Sequence, residues 1–425
     1  MTDIAANSGP SSPTEITTAD GTPLKVSLRR SERRARWRAF LLVAPLLAFL
    51  VVTFGFPIVA MMSRSVYNPE VANYLPNTAE AIQEWDGEGI PDEAVFTAMA
   101  EDMRVGSENR TIGRAAGRIN REIPGARSQV MGMARDLDEM QPPYKEAFLA
   151  ADEGWANPTF WRLIKRETRI ITPAYYLLAL DFEYSPDGEI VERPETYQIY
   201  RLLFIRTAWM SLAITGLCIL LGYPVAYMLA TLPLRTSNLL MILVLLPFWT
   251  SLLVRTSAWI VLLQQQGVIN ELLVWAGFID TGDRIRMIYN QTGTIIAMVH
   301  ILLPFMILPL YSVMKTIPPS YMRAARSLGA NQFTAFTKVY MPLTIPGLAA
   351  GVLLVFILAI GYYITPALVG GETGIFISNL IASNMQGTSA QLKLASALAT
   401  ILLLLVLVIY WLFNKLVGVD RLKFG

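Results

Sequence analysis

The stretch AFLLVAPLLAFLVVTFGFPIVAMM, Ala39 to Met62, runs for 24 residues without one charged side chain. As a helix rising about 1.5 Å per residue it reaches ~36 Å, enough to cross a hydrocarbon core of ~30 Å. The apolar part of a cleaved secretory signal is only ~7–15 residues. Residues 39–63 therefore read as an uncleaved first transmembrane helix, with Pro45 and Pro57 as sites for kinks. Just ahead lie Arg29, Arg30, Arg33, Arg34, Arg36 and Arg38. Residues 1–38, rich in Ser, Thr and Pro before that cluster, read as a disordered basic tail, and the arginines as a signal that holds this end in the cytoplasm.

Five further apolar runs follow at Leu202–Thr231, Leu239–Leu263, Gly293–Val313, Leu343–Ile364 and Leu394–Leu416. In hydrocarbon such runs are helices, because unpaired backbone groups find no partner there. The bulk composition agrees: 53% of residues are hydrophobic and 16% charged, against about 25% charged in a typical soluble domain. The expected fold is an all-α integral membrane protein with about six transmembrane helices, five of them in a core at 201–417. Between the first and second runs, residues 64–200 hold 24 Asp and Glu against 14 Lys and Arg. Stretches such as DEAVFTAMAEDM and SQVMGMARDLDEM repeat apolar residues at helical spacing. With Trp85, Trp155 and Trp161 as a small core, this insertion reads as a mostly helical domain with loose linkers near Pro69, Pro91 and Pro142-Pro143.

Charge orients the spans. With the Arg cluster inside, the acidic insertion lies outside, the turn at 231–238 with Arg235 inside, and Gln264–Tyr289 outside. The loop 314–342 is then inside, 365–393 outside, and a tail at 418–425 with Arg421 and Lys423 inside. The loop carries Lys315, Arg323, Arg326 and Lys338 and no acid. The opposite orientation puts all four basic inside segments on the wrong face.

That loop, KTIPPSYMRAARSLGANQFTAFTKVYMP (Lys315–Pro342), is long and amphipathic. After Pro318-Pro319, Ser320 is placed to cap a short helix carrying Tyr321, Ala324, Ala325 and Leu328, which Gly329 ends. A second amphipathic stretch runs through Phe333, Phe336 and Val339, and Pro342 is expected to open the next span. The pattern Ala324-Ala325, Gly329, Val339-Tyr340-Met341-Pro342 resembles the cytoplasmic "EAA…G…I.LP" loop of ABC-importer permeases, with Arg323 where Glu is common, Val339 for Ile and Met341 for Leu. Several strings in the apolar runs resemble the spermidine/putrescine branch of that family: GYPVAY from Gly222, LPFWT from Leu246 with Val254-Arg255-Thr256, GVIN from Gly267, LPFMILPL from Leu303 and TPALVGG from Thr365.

The resemblance implies a non-catalytic transport subunit in a bacterial inner membrane, with both termini cytoplasmic. Arg323, Ala324, Ala325, Leu328, Gly329, Val339 and Pro342 would form a coupling loop seated in a separate ATP-binding cassette ATPase. A second permease subunit and a periplasmic solute-binding protein would complete the machine, and the cargo would be a small polar solute such as spermidine or putrescine. No cofactor or metal is expected on this chain, ATP and Mg belonging to the ATPase; no nucleic-acid partner is expected. The larger insertion has no counterpart in the resemblance.

The residues agree with this picture independently. No G-x-x-x-x-G-K-[ST] phosphate loop occurs, so the energy source lies on another chain. A single cysteine, Cys218, and a single histidine, His300, exclude a disulfide within the chain and a His/Cys zinc cluster. A secondary transporter or channel working alone is the main alternative, but none of the six runs contains an Asp or Glu for ion coupling. A membrane-bound enzyme using the insertion would need a clustered constellation that the sequence does not display. Arg255, Tyr362 and Tyr363 are candidate path residues: Arg255 is a charge within a span, and aromatic faces suit cations. For Arg255 and Arg206 the plainer reading is a side chain snorkelling to the interface, for the tyrosines helix packing, and for His300 a hydrogen-bonded packing role.

Overall fold

The computed structural model describes residues 24–185 and 188–417; the expected tail segments 1–23 and 418–425 lie outside them. The chain divides into two units, Met1–Ser63 and Arg64–Gly425. In the first, helix Leu24–Leu50 passes into a π-turn at Val51–Gly55 and continues as helix Phe56–Val66, which runs on into the second unit. Helix begins at Leu24, so Arg33 to Arg38 stand on a regular helix and the expected disorder to residue 38 is corrected there. Proline explains the π-turn. Pro57 has no N–H to give Thr53 and its ring crowds that carbonyl, so the turn ahead of it widens.

In the second unit, helices Tyr200–Thr231, Gln291–Thr316 and Ser389–Lys415 are each long and apolar enough to span a membrane. With helix Ser31–Val66 they make four; two bent helix pairs raise the total to six. One pair, Leu234–Trp249 and Leu252–Trp275, bends by 98°. The apolar run Leu239–Leu263 is thus built as two helices separated by a 3-10 turn at Leu246–Trp249. Pro247 forbids the regular bond at that turn. The other pair, Gln332–Leu343 and Ile345–Gly361, bends by 61°, so Pro342 ends an approach helix and the fifth span opens at Ile345.

The fourth span, Gln291–Thr316, is the hub, packed against the second and the fifth. Close approach depends on Gly347 and Gly351 of the fifth span. A Cβ on Gly347 would come within 2.9 Å of the Pro309 carbonyl oxygen, and one on Gly351 within 2.8 Å of the Met306 sulfur. This is small-xxx-small packing, in which missing side chains let helix backbones touch where lipid gives no hydrophobic driving force.

The insertion has its own core. Phe96, Phe148, Trp155, Phe160 and Trp161 are buried together, with ring centroids 4.6 Å apart for Phe96–Trp161 and 5.0 Å for Trp155–Phe160. Trp85 packs at its edge. A two-stranded hairpin, Phe182–Tyr184 with Ile190–Glu192, was not expected from the sequence. Beside it the fully buried Asp181 accepts the backbone N–H groups of Ile199, Tyr200 and Arg201 at 3.1, 3.2 and 2.7 Å. A carboxylate there satisfies orphan donors and complements the positive end of the second span.

The insertion is also tied to the sixth span, Ser389–Val417. Lys393 Nζ donates to Asn68 Oδ1 and Glu70 Oε1, both at 3.1 Å, and Ser389 Oγ donates to Glu70 at 2.8 Å. Asn68 Nδ2 donates to Glu167 at 2.7 Å, and Glu167 pairs with Arg118 at 2.7 Å. Burial opposes ionisation of Glu70, but the Ser389 hydroxyl, Lys393 and Arg121 outweigh it and hold its carboxyl below the ordinary 4.5. Lys393→Met keeps the apolar stem and removes the buried ammonium partner of Glu70 and Asn68, leaving Glu70 to Ser389 and the more distant Arg121. We expect it to lower stability by about 2 kcal/mol in denaturant unfolding of the purified chain, and Glu70→Gln less. Since the folded pKa lies below the unfolded one, the Glu70 contribution is complete above 4.5 and fades as pH falls through the folded value.

Candidate functional site

The loop between the fourth and fifth spans leaves the membrane core at Thr316 and forms helix Ser320–Ser327. Pro319 occupies the N-cap position and no side chain caps the helix, so the expected cap by Ser320 is corrected: Ser320 is the first helical residue. The far end is as expected and better defined. The Gly329 N–H donates to Arg326 O at 3.0 Å and the Ala330 N–H to Ala325 O at 3.1 Å. Those two bonds make a Schellman stop, which needs a left-handed residue, and Gly329 sits at φ +91°. Asn331 then caps the next short helix, accepting from the Thr334 N–H at 2.7 Å.

Helix Ser320–Ser327 buries no residue. Arg323, Ala324 and Arg326 are exposed and Ala325 is half-buried. Beyond the stop, Leu328 is 88% and Phe333 76% exposed. An apolar pair presented this openly beside a slim, basic helix is a surface without a partner among the described residues.

The loop is nonetheless fixed to the spans. Phe336 stacks on Tyr340 at 5.7 Å, and both meet Tyr227 of the second span edge-on at 5.4 Å. Tyr223, one turn earlier, meets Phe336 at 6.2 Å and shares a 3.0 Å hydrogen bond with Thr344 at the 61° bend. The backbone through Phe336–Tyr340 is a π-turn, again ending two residues ahead of a proline, Pro342, which has no N–H for Lys338. Val339 lies half-buried in that turn and Pro342 is exposed. The tyrosines at i and i+4 in GYPVAY carried the signal for this anchor, but only their pairing with Phe336 and Tyr340 reveals it.

Toward the other end of the core, the fifth span stops at Gly361, not Ile364. Tyr362 and Tyr363 are non-helical and a new helix runs Ile364–Val369. Their carbonyls are satisfied by side chains, Ser378 Oγ to Tyr362 O at 2.6 Å and Asn379 Nδ2 to Tyr363 O at 2.7 Å. Non-helical backbone at membrane depth is tolerated where protein buries it or where it lines a cavity. Arg255 is half-buried, its Nε buried with no hydrogen-bond partner, and it lies within electrostatic reach of His300 and Tyr362. Tyr362 thus lies within electrostatic reach of Arg255 without a hydrogen bond to it among the described residues, while Tyr363 is 46% exposed. Arg206 donates to the Glu372 carbonyl at 2.8 Å, and His300 Nδ1 accepts from Trp259 Nε1 at 3.2 Å, a packing role. Cys218 is buried among the core spans.

Comparison with known proteins follows the same boundaries. The sequence profile of the "binding-protein-dependent transport system inner membrane component" family matches residues 199–417. The chain is 36% identical over 264 residues to the spermidine/putrescine transport system permease protein PotB of Escherichia coli (strain K12), which spans 59% of this chain and 94% of that protein. It is 35% identical over 260 residues to PotB of Haemophilus influenzae, covering 59% and 90%. The inner membrane ABC transporter permease protein YdcU of Escherichia coli is 32% identical over 235 residues, covering 53% and 73%. A solved bacterial ABC transporter involved in alginate import covers 69% of this chain and 99% of its own at 19% identity, with a TM-score of 0.45, a likeness that carries no weight here. With the family profile filling the five-span core, this chain is a member of the binding-protein-dependent transport inner-membrane family, the permease subunits of ABC importers.

Proposed function

We propose that the chain is one of two permease subunits in an importer of small organic cations of the spermidine and putrescine kind, driven by a separate ATPase and fed by an extracytoplasmic binding protein. The substrate class rests on the PotB relatives. The coupling role rests on one observation: helix Ser320–Ser327 is exposed and apolar at its stop, yet locked to the second span through Phe336 and Tyr340. Ala324, Ala325 and Gly329 keep it slim enough to enter a cleft; Arg323 and Arg326 add charge where the usual Glu is absent.

In this reading the chain binds no nucleotide and carries no cofactor. ATP and Mg sit on the ATPase pair, whose closure draws the two docked loops together. Each loop pulls on Tyr223 and Tyr227 and on the bend at Thr344, and the core passes between inward-open and outward-open states. The face that carries the loop is cytoplasmic, as its basic, acid-free sequence favours. The break at Tyr362-Tyr363 belongs to the path: tyrosine faces suit ammonium groups.

The docking claim is tested on exposed residues, which the fold does not need. Leu328→Asp with Phe333→Asp should cut ATP-driven putrescine uptake by about tenfold or more in proteoliposomes of the assembled complex, because a docking face with charge in its centre loses ~1.4 kcal/mol or more per decade of affinity. The thermal midpoint of the purified chain should not move. Gly329→Ala should instead act locally. It costs about 1 kcal/mol at φ > 0, and hydrogen exchange at the Ala330 amide should quicken by roughly fivefold. Tyr362→Leu should slow uptake and leave loop docking intact; unaltered uptake would reduce Tyr362 to packing.

A further inference from the structure

A cavity of about 900 Å³ lies within the Arg64–Gly425 unit, between the insertion and the start of the sixth span. Its charge is sharply at odds with its surroundings. Residues 64–200 are net acidic by ten, yet among the described residues seven bases of that segment line this one cavity, against two acids, Glu122 and Glu183. The bases are Arg118 at the back and Arg121, Arg162, Lys165, Arg166, Arg169 and Arg193 around it.

Both acids are already engaged. Glu122 is paired with Arg118 and Arg166, and Glu183 with Arg193 at 3.2 Å. Glu167 and Glu70 pair from behind with Arg118 and, at 3.8 Å, Arg121. Lys165 donates to the backbone carbonyls of Gln83 and Trp85, which take up two of its three N–H groups, and it pairs with no acid among the described residues. Arg169 is exposed, and its guanidinium makes no hydrogen bond or ion pair among the described residues. Arg162 donates to the Gly87 carbonyl at 2.9 Å, so the charges that no acid among the described residues pairs are those of Lys165 and Arg169, and they cost Coulomb energy that an anion would recover.

The opposite wall is apolar and belongs to the membrane boundary. Leu178 and Tyr175 of the insertion face Ala390 and Leu394 in the first turns of the sixth span. Forked guanidinium groups on one side and an apolar wall at the head of a span on the other suit a phosphate group, bound by planar donors, with a hydrocarbon chain beside it. We propose that this cavity binds a phosphate group, supplied by an anionic lipid head or by free phosphate, and that the occupant braces the insertion against the sixth span. It is a site for an anion, distinct from any path for the transported cation.

The test uses the full chain and three probes: phosphatidylglycerol, an uncharged diacyl galactolipid and inorganic phosphate. Native mass spectrometry of the purified protein should show phosphatidylglycerol retained over the galactolipid. Arg169→Glu, which breaks no contact in the fold, should weaken that retention by about tenfold, and Arg169→Lys should largely restore it. Millimolar inorganic phosphate that displaces the lipid, or binds alone with the same sensitivity to Arg169→Glu, identifies the phosphate group as what is read. Equal retention of charged and uncharged lipid together with no phosphate binding would overturn the proposal, as would binding indifferent to Arg169→Glu. None of these readouts depends on transport, so the permease reading stands or falls separately.

Discussion

Hydrocarbon offers no partner to an unpaired peptide group, and that constraint shapes the irregularities within the apolar spans. The spans are helices because they must be, and each interruption is housed by a specific device. Ahead of Pro57 and Pro342 the backbone widens into a π-turn. At Leu246–Trp249 it tightens to 3-10. At Tyr362-Tyr363 it opens fully, and Ser378 and Asn379 supply the missing donors. Interruptions that cost this much to maintain mark places where the molecule bends or meets a solute.

Two of these interruptions frame the function. The 61° bend at Thr344 converts a span into an approach helix running along the loop, and the aromatic set Tyr223, Tyr227, Phe336 and Tyr340 makes that corner stiff. Under the proposed coupling role, a displacement of helix Ser320–Ser327 would pass through this corner to the second span. From there it passes to the fourth span, which Gly347 and Gly351 of the fifth hold at backbone distance. Close-packed interfaces of this kind have discrete arrangements, which suits an alternating-access device. The insertion joins the same framework through Asp181 at the head of the second span and Lys393 at the head of the sixth.

Much of this was legible in the sequence because it is carried by local pattern. Length and the absence of acidic residues located the six apolar runs, and Gly329 in a polar loop announced a helix stop. The Ala324-Ala325 to Pro342 motif led to the family. What was not legible depends on tertiary partners. Pro247 breaks its helix while Pro224, Pro304 and Pro309 lie within unbroken ones; buried neighbours around the fourth span support its prolines, and sequence does not display neighbours. Ser320 looked like a cap, but Pro319 holds that position. The spacing of Gly347 and Gly351 was in view, yet its meaning needs Met306 and Pro309 opposite. The basic cavity joins residues from 118 to 394, a convergence that no window along the chain contains.

The account turns on the slim helix near Arg323 lying in the cytosol and meeting another protein there. The most direct measurement is Leu328→Cys, in a chain whose buried Cys218 is replaced by Ser, probed with a membrane-impermeant maleimide. The account predicts labelling in inside-out vesicles, none in intact cells, and protection when the cognate ATPase is co-assembled. Labelling of intact cells, or labelling in vesicles that the ATPase leaves unchanged, would contradict it.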